Sequence, residues 1–228
     1  MLTAVRTPPR SGPGIALAAL CACASGPRPF PPPVPEVLAH NQTAGDPHAG
    51  RFTYDEAVAG LPEGTRLLAI LATDAGEIRC TLEPGEAPIA VANFVGLARG
   101  LRPFQDAPDG PWHTAPYYDG TLVHRVQDGE FIQAGRRGSG PGFVLQDEMS
   151  AGHVFDRPGL LALANSGRPH TSAAEFFISI VPLTQLKGKH TIIGACDSED
   201  VVRELARRAL ADATNPPKIE TVTIRRDP

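Results

Sequence analysis

From Arg66 onward the chain breaks into short apolar runs separated by glycine, proline and polar turns, and only two stretches carry a helical period. That rhythm restricts the fold more than any other feature of the sequence. Eight runs read as strands, at 66–73, 77–83, 121–126, 131–134, 159–165, 175–181, 190–196 and 218–226. In the second, Ile78, Cys80 and Leu82 alternate with Arg79 and Thr81, the pattern of a half-buried strand. "APIAVANFVGLARG" reads as a helix, with Pro88 suited to its first turn and Gly100 to its end. "SEDVVRELARRALAD" reads as a second helix, with Ser198 at the cap and acids in the first turn. Its apolar stripe is Val201, Val202, Leu205, Ala206, Ala209 and Leu210. Strands and helices do not alternate, so no parallel βαβ sheet is expected. The chain should be mostly β, folded as a closed antiparallel barrel or a sandwich.

The N-terminus reads differently. Arg6 and Arg10 precede an apolar run from Gly14 to Ala24, and the first acidic residue is Glu36. A basic region followed by a short apolar one has the form of an export signal, and the run is too short to span a bilayer. Within it, "LCAC" (Leu20 to Cys23) resembles the bacterial lipobox, in which a small residue precedes a cysteine that becomes lipidated. By that resemblance Cys23 is the acceptor, because at Cys21 the bulky Leu20 would fill the small-residue slot. The other reading is a cleaved signal with incidental cysteines. Either way the protein leaves the cytoplasm, for a bacterial cell envelope facing the periplasm or cell surface. "GPRPFPPPVPEV" (Gly26 to Val37) favours extended polyproline II and reads as a spacer. Residues 38–64 are polar and weakly patterned. The expected organisation is a signal or lipobox segment at 1–23, a Pro-rich and polar tether at 24–64, and one domain at 65–228.

A net charge of −4 leaves no basic footprint for nucleic acid. "GRRGSGPG" lacks the Lys-Ser/Thr ending of a phosphate loop and reads as backbone turns. His170, His190 and Cys196 fit no common zinc spacing, so neither metal nor cofactor is expected. Cys80 and Cys196 are open to pairing in an oxidising compartment, but two buried free thiols are the favoured reading.

"TLVHRVQDGEFIQAG" (121–135) places Arg125 and Gln133 among strand residues. A two-residue turn at Asp128-Gly129 would set Arg125 opposite Ile132, whereas a three-residue loop ending at Glu130 sets it opposite Gln133. The second register puts Val123, Arg125, Phe131 and Gln133 on one face. His124, Val126, Ile132 and Ala134 fall on the other.

"TLVHRVQDGEFIQAGRRGSGPGFVLQDE" and "GLLALANSGRPHTSAAEFFISIVPLTQLKGKHTIIG" resemble the two long signatures of the cyclophilin-type peptidyl-prolyl cis–trans isomerases. "APIAVANFVGLARG" resembles that family's first helix, and "YYDGTLVHRV" is typical of its bacterial members. The resemblance covers roughly 66–226. It implies a closed eight-stranded antiparallel barrel capped by two α-helices, and isomerisation of X-Pro bonds without a cofactor. It also implies a groove on the outer face, and it selects the Arg125–Gln133 register.

The X-Pro bond resists rotation by about 18–20 kcal/mol because twisting breaks amide resonance. In the twisted state the prolyl nitrogen recovers a lone pair. A fixed cationic donor aimed there binds the transition state better than either planar isomer. By resemblance Arg125 is that donor and Gln133 holds the substrate backbone beside it. Phe131, Phe177, Leu186 and His190 match the proline pocket, and Ala164 and Asn165 match the pair whose backbone meets the substrate. His124 matches a structural histidine pointing to the other face. Three positions depart from the pattern. Glu130 stands where a pocket phenylalanine is usual, a place that Phe131 would take after a one-residue slip. Gln185 stands where many members have tryptophan. Glu175 replaces glutamine within the substrate-binding set, where a carboxylate could pair with Arg125. The expected partners are proline-containing peptides or unfolded exported proteins, with the chain a monomer held at the membrane by its lipid. A competing reading is a proline-peptide binding or chaperone module on the same fold, with weak or no isomerase activity.

Overall fold

A computed structural model describes residues 31–150 and 152–227 of the chain. The expected signal segment and Cys23 lie outside them. Eight antiparallel strands form one sheet in the order β3-β4-β6-β5-β7-β2-β1-β8. They are β1 (Arg66–Thr73), β2 (Gly76–Leu82), β3 (Arg125–Gln127), β4 (Phe131–Ala134), β5 (Leu160–Leu163), β6 (Phe176–Ser179), β7 (Ile192–Cys196) and β8 (Ile219–Asp227). The expected closed barrel is slightly too strong a description. The sheet curls until its edge strands approach, but no ladder joins β3 to β8. A single bridge, Leu122–Lys218, and backbone bonds such as Val123 N–H to Pro217 O at 2.8 Å stitch the gap.

Of the four α-helices among the described residues, two were expected. Helix α3 (Pro88–Ala98) is buried along its whole length. Ala87, at its N-cap, has no side chain to offer, so Glu148 supplies the cap from a distant loop. Its two oxygens accept the Ile89 and Ala90 N–H groups at 3.1 and 2.8 Å. Helix α4 (Glu199–Ala211) lays Val202, Leu205 and Ala206 on the barrel, while Leu210 at the end of the stripe is exposed. Ser198 stands at the cap position, but its hydroxyl accepts the Arg79 N–H instead of capping α4.

The tether expected over 24–64 is corrected for its described part. Residues 35–58 carry two further helices, α1 (Pro35–Thr43) and α2 (Tyr54–Val58), both seated on the barrel domain. Pro35 occupies the first turn of α1, where a proline costs no hydrogen bond, so the proline run does not keep the chain extended there. Thr53 and Glu56 cap α2 reciprocally. Phe52 packs against Gly96 of α3, where any added Cβ would strike its ring. Beneath this segment Arg102 and Asp46 form a fully buried ion pair, two-pronged at 2.7 Å.

The preference for free thiols at Cys80 and Cys196 is also corrected. The two face each other in the β2–β7 register and are joined as a disulfide. Separation along the chain, 116 residues, hides this from sequence, because strand order alone makes them neighbours.

Candidate active site

The site begins at the β3–β4 hairpin. The loop takes three residues, Asp128-Gly129-Glu130, with Gly129 at φ +70°, and Arg125 pairs with Gln133, the register that the family resemblance selects. The hairpin's neighbour β6 pairs Gln133 with Phe177, and β5 pairs Ala162 with Phe177. Odd and even residues of these strands therefore face opposite ways. Ile132, Ala134, Phe176 and Ile178 enter the barrel core, while Phe131 and Phe177 join a separate cluster.

That second cluster is the apolar part of the site. Phe177 is its centre, with the Phe131 ring at 5.2 Å, Phe155 stacked at 5.7 Å and His190 edge-on at 5.0 Å. Leu186, on a short 3-10 turn (Thr184–Leu186), packs against its rim. Phe155 is a member that sequence reading missed. It sits in a loop with no period, held by its carbonyl accepting the Leu183 N–H and by its ring stacking on Phe177. Glu130 remains in the turn, so Phe131 supplies the aromatic ring at this end of the hairpin without any slip in register.

Arg125 is exposed, with its guanidinium 5.2 Å from the Phe131 ring centre. Its Nη1 donates to Gln133 Oε1 at 3.3 Å. Gln133 is buried, and its Nε2 donates to Glu175 Oε2 at 2.7 Å. The orientation of that amide follows from charge. A carboxylate can only accept, so Gln133 must turn its NH2 to Glu175 and its oxygen to Arg125. Burial alone would raise the Glu175 carboxyl, but hydrogen bonds from His124, Arg136 and Gln133 outweigh it and hold the group at about 2. The expected Arg125–Glu175 pair is thus corrected. Glu175 pairs with Arg136 at 3.0 Å and reaches Arg125 only through Gln133.

His124 corrects a second expectation. Its Nε2 bonds Glu175 Oε2 at 3.1 Å, so it shares the outer polar cluster with Gln133, while Val123 is the residue buried in the core. Regular strand geometry begins only at Arg125, and strict alternation does not extend back to 123–124.

Ala164 donates its N–H to the Glu175 carbonyl at 2.8 Å, so a substrate would meet its carbonyl side. The Asn165 side chain ties its own loop, donating to Lys189 O at 2.7 Å. His190 points Nδ1 at Leu163 O at 3.1 Å. Burial lowers its pKa, partly offset by that bond, so the neutral ring donates from Nδ1 and leaves Nε2 as an acceptor. On the side of Arg125 and Gln133 away from Phe177 opens a cleft of about 730 Å3. It runs past Ala164, Asn165 and the Gly140–Phe143 turn to His40 and Ala44 of the N-terminal segment. Among the described residues no cluster of His, Cys, Asp or Glu is arranged to hold a metal ion.

Comparison with known proteins gives the class of molecule that this fold and site define. Residues 68–226 match the family model described as "Cyclophilin type peptidyl-prolyl cis-trans isomerase/CLD". Peptidyl-prolyl cis-trans isomerase A of Mycobacterium tuberculosis is 40% identical over 169 residues, which cover 68% of this chain and 91% of that protein. Peptidyl-prolyl cis-trans isomerase B of Streptomyces anulatus is 40% identical over 155 residues, covering 66% and 87%. A crystal structure of a Cryptosporidium parvum cyclophilin-type isomerase superposes with a TM-score of 0.60 at 24% identity, covering 72% of this chain and all of that one. The chain belongs to the cyclophilin-type peptidyl-prolyl cis–trans isomerases.

Proposed function

We propose that the enzyme isomerises X-Pro bonds of exported polypeptides without covalent chemistry. The proline ring enters the apolar cluster of Phe131, Phe177, Leu186 and His190, and Arg125 donates to the prolyl nitrogen as the amide twists. The observation that carries this reading is the position of Arg125. Its charge lies beside an apolar pocket, its direction is set by a neutral amide, and among the described residues no carboxylate pairs with it. A donor held so gains most when the nitrogen lone pair appears, which is the differential binding that catalysis needs. Arginine suits the task because it stays charged and its donors lie in one plane. Gln133 holds the substrate backbone, and no proton transfer is asked of His190. One structure of the Cryptosporidium parvum protein was determined in the presence of the dipeptide Ala-Pro, in keeping with proline-bearing ligands on this fold.

Export is supported by the basic and apolar N-terminal run and by the Cys80–Cys196 disulfide, a bond at home in an oxidising compartment. Cys23 is the proposed lipid acceptor and the cell envelope the proposed location. Mass analysis of protein from the membrane fraction should find the chain beginning at a lipidated Cys23, and an unmodified Cys23 would end that part of the proposal. For catalysis, the test is a cis–trans assay on a short X-Pro peptide. Wild type should accelerate exchange, and Arg125→Ala should lower kcat/KM about a hundred- to a thousandfold. Wild type without acceleration would leave only a proline-peptide binding module.

A further inference from the structure

We infer that helix α1 is a substrate-selecting wall: through His40 and Ala44 it closes the far side of the cleft that begins at Arg125 and Gln133, and that cleft holds the polypeptide stretch flanking the isomerised X-Pro bond. This rests on the isomerase reading above and adds to it a contact that the chain's own N-terminal segment makes with the residues flanking the X-Pro bond.

Three observations carry it. Several of the residues that line the cleft have little side chain, among them Gly140, Ala164 and Ala173. At about 730 Å3 it is the size of a ligand site and far larger than one proline ring requires. Second, α1 is anchored as a wall must be. Asn41 is fully buried, its Nδ2 donating to Val144 O and its Oδ1 accepting Val144 N–H, both at 2.9 Å. Just beyond the helix, Asp46 is clamped to Arg102. A wall ordered before the substrate arrives costs little entropy on binding. Third, α1 lies ahead of the residues 68–226 that match the family, so the wall is built by this chain's own N-terminal segment.

The chemistry favours selection over catalysis. His40 and Ala44 line the same cleft as Arg125 and Gln133 without touching either, and an enzyme that breaks no covalent bond discriminates through contacts made away from the reacting centre. His40 is exposed and can donate or accept, whereas Ala44 presents only a methyl group. A larger residue at Ala44 would therefore narrow the cleft without touching Arg125.

The experiment compares two substrates carrying the same X-Pro pair, a blocked tetrapeptide and a longer unstructured peptide extended on both sides. Relative to wild type, Ala44→Trp should lower kcat/KM on the long peptide about tenfold more than on the tetrapeptide, mainly through KM. His40→Ala should show the same bias at about threefold. Equal losses on both peptides, or no loss on either, would overturn the inference and leave α1 a purely structural element. A parallel titration of the long peptide, read by amide chemical shifts, does not depend on turnover. Shifts at His40 and Ala44 support the wall, while binding without them, or no binding, overturns it. A wild type that binds the peptide with those shifts yet accelerates neither substrate would sink the isomerase reading and keep the wall.

Discussion

Two arginines in this molecule are built from the same parts and are set in opposite ways. Arg102 and Arg125 each lie over a phenylalanine ring, Phe143 at 4.0 Å and Phe131 at 5.2 Å. Each donates to a side-chain amide oxygen, that of Asn93 at 2.8 Å and that of Gln133 at 3.3 Å. They differ in where the carboxylate sits. Asp46 grips Arg102 directly with both oxygens, and the pair is sealed from solvent. Glu175 stands one residue removed from Arg125, satisfied by Gln133, His124 and Arg136. A neutralised arginine holds structure together, whereas one oriented through a neutral amide keeps its charge for a ligand.

The comparison can be broken at several points. The largest effect should come from Asp46→Ala. It leaves a buried guanidinium without its counter-charge and should cost about 3–5 kcal/mol, read from urea unfolding. Replacing both partners with apolar residues, Asp46→Leu with Arg102→Met, should recover only part of that loss, because Asp46 also accepts the His48 and Gly50 N–H groups and Arg102 also donates to Asn93. Arg125→Ala should show the reverse profile, with the large rate loss given above and a stability change within about 0.5 kcal/mol. A marked destabilisation would mean that Arg125 is structural as well.

Glu175 offers a finer test. Glu175→Gln keeps an oxygen acceptor for the Gln133 NH2 and should hold kcat/KM within about threefold. Glu175→Leu frees the amide to turn and should lower it about tenfold, in the assay used for Arg125. Equal rates for the two variants would show that Gln133 needs no partner. The smallest effect is in acid. The Glu175 carboxyl is held at about 2 against an ordinary 4.5, so its contribution to stability is full above 4.5 and is lost as pH falls through 2. Wild type should therefore lose stability more steeply than Glu175→Gln across that window, by urea melts at stepped pH.

Legibility followed the range of each interaction. The Arg125–Gln133 register was partly readable because a hairpin is local: loop length and period two left two pairings, and the family resemblance chose between them. Phe131 took its face from that register, whereas Phe177 was placed in the pocket by the resemblance. His124 escaped because alternation was carried two residues past the true start of β3. Phe155 escaped because loops carry no period. The helices in 35–58 were hidden for another reason. Their sequences are polar and short, and they hold position by single contacts such as Asn41 with Val144 and Phe52 on Gly96.

What the sequence determined by itself was the strand rhythm, the two long helices and the family to which the residues in and around 125–133 and 159–194 are similar. These are local patterns, set by the geometry of strand and helix. Only the tertiary structure decided that Cys80 meets Cys196, that Asp46 meets Arg102, that a bridge and a few backbone bonds stitch the barrel's edges, and that His40 and Ala44 line the same cleft as Arg125. Each joins residues far apart in the chain, where no spacing rule applies and only the packed sheet sets the distance.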